Sequence, residues 1–214
     1  MALIFDFDGV IVDSERATFE LLQAICKRHN ITLRDDALIE RVGKKITYFV
    51  DQYFGDELSI DTKQSVVNEF YSIFLQSPSS YVQPIDYVCD FIKEYEGPQK
   101  FAIASVGHRQ SIESILSSLE IKNKFKVVLS SEDVAQPKPD PQIYIKACHV
   151  LGESPKECLV FEDSKVGATA ALAAGCNLYI VLNGLNSKKQ FQELPVNGYI
   201  SSRKELIRVV ADLD

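Results

Sequence analysis

The stretch IFDFDGVIVDSE, residues 4–15, sets an apolar run against two carboxylates, Asp6 and Asp8, with Gly9 directly behind them. Two acids at the end of a strand otherwise fit for burial repel each other and lose hydration, so they need a partner of opposite sign. Other short segments end in groups that could supply or share that partner. FAIAS (101–105) ends on Ser105, CLVFED (158–163) ends on Glu162 and Asp163, and QPKPDP (136–141) holds Lys138 between prolines that limit its backbone.

Carboxylates gathered on short side chains are hard oxygen ligands and suit Mg²⁺, which commonly shares its coordination with water and a substrate phosphate. An oxygen of Asp6 could then attack phosphorus once the metal and Lys138 offset the repulsion between two anions. Asp8, two residues on, shares the side of Asp6 if the backbone stays near extended, which suits protonation of a leaving oxygen and activation of water. Ser105 and the backbone N–H groups of Val106 and Gly107, at the start of the next helix, can hold phosphate oxygens. Gly9 allows the tight turn this arrangement requires.

These groups meet only if the segments carrying them are strands of one sheet. ALIFDF (2–7), FAIAS (101–105), KVVLS (126–130), CLVFED (158–163) and LYIVL (178–182) read as buried parallel strands. Helical patterns such as SIESILSSLE and PQIYIKACHVLG lie between them, so the expected fold is α/β, a doubly wound parallel sheet. In such sheets the ligand crevice lies beyond the carboxyl ends of the strands, which is where the chemistry-bearing residues fall.

The alternation is interrupted once. Residues 14–82 carry no strand pattern but several helical ones: SERATFELLQAICKRHN, RDDALIERVG, KITYFVDQYF and a long segment from Asp61 to Leu75. Phe19, Leu22, Ile25, Val66, Phe70 and Phe74 fall at helical spacing and are expected in the core of this insert. SPSSYVQP (77–84) reads as the return linker, followed by a helix in PIDYVCDFIKEYEG that Gly97 is expected to close. The expected domains are therefore 1–13 with 83–214, an α/β core, and 14–82, a helical insert.

Composition narrows the function. The chain has 214 residues, 46% of them hydrophobic, and a net charge of -7, which excludes a broad basic face for nucleic acid but not a local cationic pocket. No run is long and apolar enough to cross a bilayer, and no signal-peptide pattern opens the sequence, so a cytoplasmic protein without membrane partners is expected. Cys26, Cys89, Cys148, Cys158 and Cys176 form no CxxC pair and read as buried free thiols.

DFDGVIVDSE, FAIAS, PKPDP and FEDS followed by KVGATAALAAG occur in the order of the four signature motifs of the haloacid dehalogenase-like hydrolases, which the chain resembles from residue 1 to about 184. The insert at 14–82 falls where that family carries a helical cap domain. The resemblance implies an aspartyl-phosphate mechanism with Asp6 as nucleophile, Asp8 as acid/base, and Ser105 and Lys138 on the phosphate. It also implies Mg²⁺ on Asp6, the Asp8 carbonyl and Asp163, with Glu162 either a direct ligand or one step removed.

Asp8 favours phosphate-ester chemistry within the family, because its dehalogenase and phosphonate-cleaving branches lack an aspartate there. The pattern is most similar to β-phosphoglucomutase and to phosphatases of sugar phosphates and phosphoglycolate. Thr18 stands where the mutase resemblance requires a histidine, and Ile46, counted from Gly43, where it requires an arginine. Pro84-Ile85-Asp86 replaces the usual Pro-Gly at the cap's return.

The expected activity is therefore a Mg²⁺-dependent phosphatase of a small phosphorylated metabolite, with a mutase or a receiver-like phospho-aspartate regulator as alternatives. A receiver has neither the insert nor a use for Asp8. Lys44 and Lys45 are candidates for a substrate's anionic end, and His108 and Arg109 for the leaving group or a helix start. Asp13 and Ser14 read as helix caps, and His29 and His149 as structural. Oligomeric state is not legible in the sequence.

Overall fold

The computed structural model describes residues 1–41 and 44–212, the side chain of Ile39 apart. Val42 and Gly43, the end of the helical stretch expected over 34–43 and the reference point for counting to Ile46, lie outside the described residues. The chain divides into two compact units, Met1–Asp13 with Pro84–Asp214, and Ser14–Gln83.

The first unit holds strands β1 (Ala2–Phe5), β4 (Lys100–Ala104), β5 (Phe125–Leu129), β6 (Cys158–Glu162), β7 (Asn177–Val181) and β8 (Gly198–Ile200). They form one sheet in the order β5-β4-β1-β6-β7-β8, with every pairing parallel. The two-residue strands β2 (Val12–Asp13) and β3 (Gln83–Pro84) fall where the chain passes between the units. From β1 the chain builds outward to one side through β4 and β5, then returns to build the other side from β6. β1 is therefore the switch point, and the crevice of a doubly wound sheet opens beyond it.

Helices α5 (Asp86–Glu94), α6 (Arg109–Ser118), α7 (Gln142–Leu151), α8 (Lys165–Ala174) and α9 (Arg203–Ala211) accompany this sheet. All four residues of β1 are fully buried, as a continuous apolar run needs when both faces of a parallel strand are covered. Burial of Leu3, Ile4 and Phe5 stabilises the fold by about 1.5–3 kcal/mol each. Alternation splits them between faces. Ile4 packs with Ala102, Val160 and residues of α7 and α8. Phe5 stacks on Phe161 at 4.9 Å and meets Phe101 edge-on at 5.4 Å, and Phe101 lies 6.2 Å from Phe91 of α5.

The helical unit contains α1 (Glu15–Arg28), α2 (Ala37–Arg41), α3 (Ile46–Phe54) and α4 (Ile60–Phe74). Phe19, Leu22, Ile25, Val66 and Phe70 are buried together, with Phe74 partly buried against them. Ser14 takes the N-cap position of α1, its carbonyl accepting the Thr18 N–H.

One expectation needs correction, and one strand has no counterpart in the sequence pattern. α5 ends at Glu94 because Tyr95 turns extended, so Gly97 does not close it; a Cβ at Gly97 would instead run into the Tyr95 ring. The edge strand β8 escapes a pattern reading because it is three residues long and begins with glycine. His29, read as structural, bonds Glu69 Oε2 through Nε2 at 2.7 Å. The five cysteines are all buried and free, as expected, and no helix among the described residues is long and apolar enough to cross a membrane.

Candidate active site

Register delivers the site. Phe5 aligns with Ile103 of β4 and Phe161 of β6, so the residues after them, Asp6, Ala104-Ser105 and Glu162-Asp163, emerge along one edge of the sheet. Asp6 follows Ile4, and Glu162 follows Val160, onto the face covered by α7. The Asp6 N–H donates to Phe161 O at 2.9 Å, holding the chain beside β6 one residue past the strand.

Beyond Asp6 the chain reverses. Ile11 and Val12 N–H both donate to Phe7 O, Gly9 N–H donates to Val12 O at 2.7 Å, and Gly9 adopts φ +79°. A Cβ at Gly9 would overlap the Asp163 carboxylate, so glycine is needed here for space as well as for conformation. Asp8, half-buried, sits in this turn close enough for its charge to act on both Asp6 and Asp163.

Lys138 reaches the same point from a turn that bonds to itself. Gln142 Oε1 accepts the N–H groups of Ala135 and Gln136, Asp140 N–H donates to Pro137 O, and the Lys138–Pro139 peptide is cis. The Lys138 side chain is only 4% exposed. Its Nζ donates to Asp6 Oδ1 at 2.6 Å, Glu162 Oε1 at 2.7 Å and Ala104 O at 3.0 Å, which uses all three ammonium hydrogens.

Glu162 has no exposed surface and is saturated with donors. Oε1 accepts from Lys138 and from the Tyr144 hydroxyl at 2.8 Å, and Oε2 from Asp163 N–H, Ser164 N–H and Ser164 Oγ, each at 3.0 Å. Burial alone would raise its pKa, but Lys138 and these bonds hold it below the ordinary glutamate range. It is the fixed anion that anchors Lys138.

Asp6 and Asp163 behave oppositely. Burial pushes the Asp6 carboxyl up to about 7 against the pull of Lys138, with Glu162 and Asp8 adding like charge. Asp163 is pushed well above the usual carboxylate range by burial and then by Glu162 and Asp6, against the bond from Asn183. Asp6, Glu162 and Asp163 each place a carboxylate oxygen within 4.8 Å of the others. A buried acid and a half-buried one, destabilised by their own proximity and made of hard oxygen donors, fit a divalent cation such as Mg²⁺. With Glu162 engaged by five donors, Asp6 and Asp163 are the carboxylates suited to hold it.

Ser105 is buried, and its Oγ accepts the Gly107 N–H at 3.0 Å, which leaves the hydroxyl hydrogen to donate. The Gly107 N–H is thus spent within the loop rather than aimed outward. Val106 and Gly107 are half-buried, and Ser131, in the turn after β5, clamps this loop by donating N–H and Oγ to Gly107 O. Arg109 is bound to Asp133, to Glu113 and to Val128 O, so it belongs to the helix start and not to the acidic cluster; His108 is the N-cap of that helix. Lys44 and Lys45 lie in the helical unit, both exposed, Lys45 at the N-cap of α3.

Four site residues were not singled out from sequence: Tyr144, Ser164, Asn183 and Asn186. Tyr144 sits in an apolar helical pattern and looks like core. It is core, yet its hydroxyl bonds Glu162 and its ring lies 4.8 Å from Lys138 Nζ. The asparagines follow β7, whose end reaches the same edge; including that strand among those delivering residues would have found them.

A doubly wound parallel sheet carrying clustered acids and a buried lysine at its switch point defines a Rossmann-like α/β protein with its site on the carboxyl edge. The chain matches the haloacid dehalogenase-like hydrolases over residues 3–181, and it belongs to that family. It is similar to the phosphorylated carbohydrates phosphatase of Thermotoga maritima, at 29% identity with 90% of each chain covered. It is similar also to the fructose-1-phosphate phosphatase YqaB of Escherichia coli, at 26% identity over 81% of this chain and 92% of that one. In fold it resembles a hydrolase of the family from Entamoeba histolytica, with TM-score 0.83, 21% identity and coverage of 99% and 98%.

Proposed function

We propose that the protein is a Mg²⁺-dependent phosphatase of small phosphorylated metabolites of the sugar-phosphate type, acting by phosphoryl transfer to Asp6. The observation that carries this reading is the Lys138 Nζ contact with Asp6 Oδ1 inside a cluster that includes Asp163. A buried carboxylate held beside a buried ammonium is oriented as a nucleophile and relieved of part of its repulsion for an anionic phosphate. The relatives named as phosphatases of phosphorylated carbohydrates and of fructose 1-phosphate support the substrate class.

In the first step an Asp6 oxygen forms a bond to phosphorus as the ester P–O bond breaks, and Asp8 gives its proton to the leaving oxygen. In the second step Asp8, now a carboxylate, takes a proton from water, whose oxygen attacks phosphorus; the bond to Asp6 breaks and inorganic phosphate leaves. The Ser105 hydroxyl holds a phosphoryl oxygen, and the charge of Lys138, whose hydrogens stay on Asp6, Glu162 and Ala104 O, offsets the negative charge of the phosphoryl group through both steps. Mg²⁺, held by Asp6, Asp163 and the Asp8 carbonyl, would supply the remaining positive charge. Glu162 and Tyr144 keep Lys138 in place.

The unit over residues 14–82 serves as the cap and residues 1–13 with 83–214 as the catalytic core, with Lys44 and Lys45 offered to a substrate's anionic end. Thr18 and Ile46 favour water as the acceptor over a second sugar hydroxyl. Thr18 is buried with its hydroxyl bonded to Ser14 O, and Ile46 is buried and apolar, so neither supplies the base or the cation a mutase would use. Phosphate release from a panel of sugar phosphates and phosphoglycolate, with Mg²⁺ and with excess chelator, tests the reading. Release confined to the Mg²⁺ arm is expected; no release from any ester, or equal release with chelator, overturns it.

A further inference from the structure

The turn Asn183-Gly184-Leu185-Asn186 after β7 has no part in the chemistry above, yet it reaches two of its elements at once. Asn183 Nδ2 donates one hydrogen to Asp163 Oδ2 at 2.8 Å and the other to Gly9 O at 3.0 Å, while Oδ1 accepts the Leu185 N–H at 3.0 Å. The amide orientation is dictated by its partners, because the reverse would set its oxygen against a carboxylate and a carbonyl. Asn186 braces the turn: its Oδ1 accepts the Asn183 N–H at 3.3 Å, and its Nδ2 donates to Asp163 O and Val181 O, each at 2.8 Å.

Asp163 is therefore gripped at its side chain by one asparagine and at its main chain by the other. Gly9, the residue next to Asp8, is tied to the same amide that holds Asp163. A half-buried acid crowded by like charges would otherwise swing its carboxylate away from Asp6; a neutral donor prevents this without adding a charge that competes with a cation.

We propose that Asn183 is a positioning residue that sets the protein's affinity for its divalent cation, by fixing the Asp163 carboxylate and the Gly9 turn. The assignment rests on the reading that Asp6 and Asp163 hold Mg²⁺. A mere loop staple would lower stability without changing cation affinity, so the two roles separate in binding measurements.

The test is calorimetric titration of MgCl₂ into the metal-free full-length protein, for wild type, Asn183→Ala and the similarly sized Asn183→Leu. Circular dichroism verifies folding, and Asp163→Asn serves as a binding-deficient reference. The Asn183 variants should bind Mg²⁺ about 10- to 100-fold more weakly than wild type, the usual effect of losing a ligand's hydrogen-bond partner. Wild-type affinity in either folded Asn183 variant would overturn the positioning role while leaving the cation site standing. Absence of saturable Mg²⁺ binding by wild type would remove the cation reading and this assignment together.

Discussion

Lys138 Nζ stands 2.7 Å from Glu162 Oε1, joining a turn between α6 and α7 to the end of β6 through a glutamate with no exposed surface. A sequence motif suggests a phosphate-facing role for Lys138; the structure shows what holds its side chain. The ammonium is shared between a fully saturated anion, Glu162, and Asp6, the proposed nucleophile.

Glu162→Gln should therefore be far more disruptive than its similar size suggests. One oxygen could still accept from Lys138 and Tyr144, but the amide nitrogen would then face three donors from Asp163 and Ser164. Breaking a buried charge pair in this way costs about 3–5 kcal/mol, on the order of a 10 °C fall in Tm for a chain of this size. A thermal melt of the metal-free protein at neutral pH measures it, and an unchanged Tm would show that Glu162 does not anchor the cluster.

Gly167→Ala reverses an ordinary expectation. Within a helix alanine is favoured over glycine by about 1 kcal/mol. Gly167, however, lies in α8 directly against Glu162, and an added Cβ would overlap the carboxylate. The variant should lose stability and activity together, as read by denaturant midpoint and phosphate release; a gain in midpoint would contradict the close approach.

Asp133 gives a pH dependence away from the acidic cluster. Burial would raise its pKa, but the N–H and hydroxyl of Ser130, with Arg109 and Lys146, hold it below the ordinary aspartate value. An acid lowered in the folded state stabilises the fold above its unfolded pKa, and that contribution is lost as pH falls through the folded value. The Tm deficit of Asp133→Asn should therefore be largest near neutrality and shrink below about pH 4. A deficit independent of pH would show that charge is not what Asp133 contributes.

The strands and their delivery of Asp6, Ser105, Glu162 and Asp163 were legible because fully buried parallel strands are continuous apolar runs, and their polar ends stand out. Lys138 was legible through the prolines around it. Glu162's engagement was not, because a carboxylate that grips a lysine and one that grips a metal are the same letter in a sequence. Tyr144 was hidden by its apolar helix, where a phenol and a phenylalanine follow the same period. Asn183 acts through a turn 20 residues from Asp163 and 174 from Gly9, separations that no local pattern encodes.

Turnover through Asp6 requires that phosphorus become bonded to its carboxylate. Rapid acid quench of the Mg²⁺-loaded protein with a ³²P-labelled sugar phosphate, followed by peptide mapping, measures this directly. Label on the Asp6 peptide during turnover is expected, together with its absence in Asp6→Asn and a fall in phosphate release on the order of 10³-fold or more. Label on another residue, or turnover persisting in Asp6→Asn, would contradict it.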